Sequence, residues 1–144
     1  MKWYWLLLIS VFLTGCERIQ YSQNNTPEYI ASEFFEAIYN EKNLEKAKQL
    51  STAEYAAVME SYGTVRQVSR TMFNMSFDSV EIAVNRSGQS LRQQYDTTAN
   101  ITLVLTGPYN GDRHDDVRTV TLVKQQGRWL VQKVQQDRFS TTKT

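Results

Sequence analysis

The chain has 144 residues, with 16 Lys plus Arg against 15 Asp plus Glu, one histidine and one cysteine. So even a charge balance, with no long basic run, gives a nucleic acid or a polybasic membrane contact no electrostatic footprint. One cysteine excludes an internal disulfide, and the length is that of a single domain able to bury a core without bridges or metals.

Met1-Lys2 is followed by a nearly unbroken apolar run, Trp3 to Leu13, and then by Leu13-Thr14-Gly15-Cys16 and the polar pair Glu17-Arg18. A charged start, a short apolar segment and small residues before a cut are the layout of a secretory signal. The run is about half of the ~20 residues a spanning helix needs. Leu-Thr-Gly-Cys resembles the lipobox of bacterial lipoproteins. The resemblance implies cleavage before Cys16, diacylation of its sulfur and acylation of the new amino group. Such a protein is anchored to a bilayer rather than threaded through it, since two or more acyl chains hold firmly. Glu17 stands where an inner-membrane lipoprotein carries aspartate, so the resemblance places the protein at the outer membrane, facing the periplasm.

Residues 17–25 are polar and aperiodic, a tether up to residue 26. Thr26-Pro27-Glu28 is a helix start: a hydroxyl cap, a proline suited to the first position and an acid at the positive end. Ile30, Phe34, Phe35 and Ile38 continue at helical spacing and predict a helix to about Asn40. Leu44 to Leu50 is a second, short helix. Ser51-Thr52-Ala53-Glu54 reads as a capping box opening a third helix with Tyr55, Val58, Met59 and Tyr62. Val65, Val68, Met72 and Phe73 lie beyond Gly63 with a roughly helical period, as one bent helix or two.

From Phe77 the period is two. Phe77, Val80, Ile82 and Val84 predict a first strand. Leu91 to Leu105 predicts a second, with Tyr95, Thr97, Ala99, Ile101, Leu103 and Leu105 on one face. Residues 107–112 read as a loop. Val117 to Val123 is a third strand, Gln125 to Arg128 a tight turn, and Trp129 to Val134 a fourth strand. Residues 140–144 read as a frayed tail. Helices followed by strands with short connections predict an α+β domain over residues 27–139, with three N-terminal helices packed on a curved four-stranded antiparallel sheet.

The segment "FFEAIYNEKNLEKAKQL", the long second strand and the hairpin "VTLVKQQGRWLVQKV" resemble the NTF2-like superfamily, and most of all small bacterial lipoproteins with a DUF4878-type domain. The resemblance covers about residues 27–137. It implies a cone-shaped interior between sheet and helices and no particular activity. Phe34, Tyr95, Ile101 and Trp129 are the candidate residues for lining that interior.

Catalytic candidates are sparse. His114 lies in Asp112-Arg113-His114-Asp115-Asp116, expected to be a solvated loop. The spacing of its acids is not that of a calcium loop, and Arg113 opposes a cation. Asp78, Glu81 and Asp96 are the acids next to strands. Arg118, Val120 and Leu122, with Arg92-Gln93-Gln94, read as an exposed sheet face. No dinucleotide or phosphate-loop motif occurs. The sequence therefore reads as a non-catalytic envelope module, without cofactor or metal, held to the membrane by Cys16. It would bind an envelope protein, and the resemblance leaves open a homodimer formed through the sheet. The alternatives are a small apolar ligand in the cone or, behind that, a lyase, isomerase or hydrolase.

Overall fold

The computed structural model describes residues 24–86 and 97–135. The signal, Cys16, Arg92 to Gln94, Tyr95, Asp96 and the tail all lie outside the described residues.

Helix α1 spans Pro27–Tyr39, and Thr26 Oγ1 accepts from the Tyr29 N–H at 3.2 Å. Its buried face carries Ile30, Phe34, Phe35 and Ile38 at the expected spacing, widened by Ala31, Ala37 and Tyr39. Helix α2 (Leu44–Gln49) is capped by Asn43, whose Oδ1 accepts from the Lys46 N–H. Helix α3 (Ala53–Ser61) takes its cap from Thr52, one residue later than the capping box predicts. Ser51 is used otherwise. Its hydroxyl donates to the Ala47 carbonyl at 2.7 Å, and its backbone bridges to Val131 of the sheet. Burial of the chain between α2 and α3 thus displaces the cap.

Gly63, at φ +81°, settles the question left open beyond α3: the chain turns there and a new helix begins. Helix α4 is one turn, Val65–Gln67, capped by Thr64, and runs into a π-helical turn, Val68–Met72. The Phe73 N–H closes that turn on the Val68 carbonyl at 3.0 Å.

Strands β1 (Glu81–Asn85), β2 (Thr98–Tyr109), β3 (Asp112–Gln125) and β4 (Arg128–Gln135) form one antiparallel sheet in chain order. The fold is α+β, with a four-stranded antiparallel sheet covered by helices. Two boundaries differ from expectation. Phe77 and Val80 are buried but precede β1. The loop expected over residues 107–112 shrinks to Asn110-Gly111, whose φ values of 53° and 89° suit a two-residue hairpin turn. The strands on both sides lengthen, and residues 112–116 become strand rather than loop. Gln126-Gly127, at φ 50° and 76°, makes the β3–β4 turn in the same way. A β-bulge interrupts the β3–β4 register between Thr121 and Leu122.

Helix α1 lies on the sheet and touches all four strands. Ala99, Ile101, Leu103 and Leu105 of β2 point into the core, as the alternation predicts. The partner face of β3 does not follow expectation. Leu105 pairs with Asp116, Leu103 with Arg118, Ile101 with Val120 and Ala99 with Leu122. That register turns Arg118, Val120 and Leu122 inward, so the face read as exposed is buried. Cross-strand neighbours share a face, and the buried row of β2 imposes its side on β3.

Candidate functional site

Phe34 and Ile101 are closed off from solvent in the core, and Trp129 is nearly so. Phe34 meets Phe35 edge-on at 5.3 Å between centroids, Phe73 edge-on at 6.0 Å and Tyr55 at 6.2 Å. Phe35 in turn stacks on Tyr39 at 6.1 Å. Such contacts fix ring orientation beyond what area burial requires. Rings of the described residues occupy the space between helices and sheet around Phe34. Among the described residues no ring contact joins Trp129 to this cluster. Its backbone N–H donates to Asn25 Oδ1, and Lys124 Nζ sits 5.8 Å from its ring centroid. Trp129 thus fastens the segment before α1 to the β3–β4 hairpin.

The charged groups in this core come from β3. Arg118 Nε donates to Asp116 Oδ2 at 2.5 Å, and both side chains are buried. Among the described residues Asp116 Oδ1 has no hydrogen-bond partner. The tyrosine hydroxyls that feel this pair come from the helices. Tyr39 donates to the Met75 carbonyl at 2.9 Å, and Tyr55 accepts from the Val134 N–H at 3.3 Å. Burial raises the pKa of both tyrosines well above the ordinary value, against the opposing pull of Arg118. For Tyr39 the Asp116 carboxylate adds to the rise.

Sequence reasoning assigned Asp116 to a solvated loop and Arg118 to an exposed face. The available signal was their spacing: 116, 118, 120 and 122 form one alternating row. The opposite row, Val117, Thr119, Thr121 and Val123, has as many aliphatic residues and no charge, so the pattern alone favours burying the wrong side. The other acids are dispersed. Asp112, His114 and Asp115 are exposed on β3, and alternation sends Asp115 to the face opposite Asp116. Among the described residues no three His, Cys, Asp or Glu side chains gather as a metal site. Asp78 is exposed, and Glu81 pairs with Arg113 at 2.8 Å on the surface.

An open cleft of about 820 Å³ runs between α1 and the outer edge of β1. Glu33, Glu36 and Glu41 line it from the helix side, and Glu81 from the strand. Lys46 bridges Glu33 at 2.8 Å and Glu41 at 2.6 Å, while among the described residues the side chain of Glu36 meets only the amide of Asn40, at 2.7 Å. That amide also reaches the strand. Asn40 Nδ2 donates to the Val80 carbonyl at 2.9 Å, and Asn40 Oδ1 accepts from the Val80 N–H at 2.8 Å.

No protein-family model matches the chain, and no curated protein is significantly similar to it.

Proposed function

We propose that this is a lipid-anchored envelope protein, held by acylated Cys16 and facing the periplasm from the outer membrane, whose NTF2-like domain is a non-catalytic interaction module. The observation that carries the module reading is the ring-filled interior around Phe34, Phe35, Tyr39, Tyr55 and Phe73. Rings packed against one another there leave the surface as the place where such a module would meet a partner. Helices laid on one face of an antiparallel meander, ending in the Gly127-Arg128-Trp129 hairpin, support the superfamily assignment. The anchor rests on Leu-Thr-Gly-Cys and the apolar run before it. The alternative, a small ligand between helices and sheet, is favoured by one observation, the unpartnered Asp116 Oδ1.

Intact mass and membrane fractionation of the expressed protein, beside Cys16→Ser, test the anchor. The wild type loses residues 1–15, gains acyl mass and sediments with outer membrane, and the variant does none of these. An unacylated, freely soluble wild type overturns the anchor. For the module reading, a small molecule whose binding alters the environment of Tyr55 and Arg118 would transfer the function to the interior.

A further inference from the structure

The sheet ends at β1, and among the described residues no strand pairs with its outer side. Asn40 shows which backbone groups that side offers. Its side-chain amide donates to and accepts from the backbone of Val80, the two-way pairing that a neighbouring strand would make. Backbone groups of a strand point alternately to either side. With Val80 turned outward, Ile82 and Val84 also present N–H and C=O outward, while Glu81 and Ala83 turn theirs to Thr106 and Val104 of β2. Asn40 therefore occupies the first position of an edge whose next two positions are open among the described residues, in a cleft roomy enough for more chain. Such an edge is a template for strand addition.

Charge selects the occupant. Four carboxylates, Glu33, Glu36, Glu41 and Glu81, line the cleft, and the cations paired with them are Lys46 and Arg113. Among the described residues Glu36 has no cation partner. A second copy paired edge to edge would bring two Glu81 side chains and two acidic clefts together, which like-charge repulsion disfavours. We propose that the outer edge of β1 is a strand-addition site for an extended basic segment of a partner protein. The added strand pairs with Ile82 and Val84 and directs its alternate side chains toward Glu36. This rests on the interaction-module reading and names the surface through which it works.

The test uses the full chain in detergent and three sets of synthetic peptides. One alternates lysine and valine, one alternates glutamate and valine, and the third is a proline scan of the first. The lysine peptide is expected to bind, to slow hydrogen exchange at the Ile82 and Val84 amides, and to weaken with salt as exposed charge pairs do. Proline is expected to abolish binding at every second position only, where the peptide N–H must reach β1. Glu36→Gln keeps an acceptor for Asn40 and is expected to weaken binding several-fold, the effect of one rim charge. Equal binding of the glutamate peptide, or a proline scan without period, overturns the proposal. So does self-association that protects the same two amides, because the edge then belongs to a second copy. Protection by the lysine peptide elsewhere on the surface overturns this site and leaves the module reading intact, whereas that reading fails only on a ligand in the interior.

Discussion

Arg118 and Asp116 stand two residues apart on one face of β3, and Arg118 Nε donates to Asp116 Oδ2 at 2.5 Å with both side chains buried. Desolvating two charges costs several kcal/mol per ion, and their attraction only roughly offsets it. Breaking the pair is another matter, since the remaining charge stays buried alone. Asp116→Leu or Arg118→Met alone is expected to cost about 3–5 kcal/mol in urea unfolding. The double variant is expected to return to wild-type stability or exceed it, because apolar side chains fill the same volume without a desolvation cost. Two single variants that each lose less than about 1 kcal/mol, or a double variant that adds their losses, would refute this account.

Tyr39 and Tyr55 make stability sensitive to alkali. Burial raises both hydroxyl pKa values above the ordinary 10.0, so the folded chain holds these protons where the unfolded chain releases them. Below about pH 10 both states are protonated and this contribution is fully present. As pH rises past that value the unfolded state binds fewer protons, and stability falls. Tyr55→Phe is expected to make the fall shallower. At neutral pH it is expected to cost about 1–3 kcal/mol, because the Val134 N–H loses its acceptor. Urea titrations at neutral and alkaline pH read both effects, and an unchanged alkaline slope would contradict the linkage.

Gly107 lets β2 pass close to the segment that leads into β1. A Cβ at this position would overlap the Ser79 carbonyl oxygen and come within 3.1 Å of the Phe77 ring. Backbone cannot give way as a side chain can, so Gly107→Ala is expected to destabilise by about 1–3 kcal/mol. It should also increase hydrogen exchange at Val80, beside the displaced Ser79. Gly111 has open space around its Cβ position but φ +89°, so Gly111→Ala is expected to cost about 1 kcal/mol from backbone strain, with Val80 exchange unchanged. Melting temperatures and amide exchange of the two variants separate steric overlap from local strain.

Much of the architecture was legible because its signals are local. The Thr26 cap, Pro27 and the Ile30, Phe34, Phe35, Ile38 spacing mark α1 within a few residues. Gln126-Gly127 between two alternating runs marks the last hairpin. Pro108 misled the reading by suggesting a loop, although it lies near the hairpin end of β2, opposite Arg113. Ser51 misled it as well, because a hydroxyl followed by an acid three residues on fits a cap, and the contact that recruits Ser51 elsewhere comes from Val131.

By itself the sequence determined the succession of helices then strands, the α+β class, the inward row of β2 and the lipobox-like Leu-Thr-Gly-Cys that motivates the membrane anchor. All of these follow from neighbours within a few positions: a cap, a period or a motif. It did not determine the helix count, which among the described residues is four α-helices and a π-helical turn where three helices were expected. Only the tertiary structure decided which face of β3 is buried, that Asp116 and Arg118 meet in the core, and that Asn40 pairs with Val80 forty residues away. Over residues 116–123 the buried row of β3 carries both charges and the opposite row none, so pairing with Leu103 and Leu105 had to override the sequence pattern. A side-chain amide that stands in for a strand leaves no periodic trace, because its partner is set by where α1 ends against the edge of the sheet.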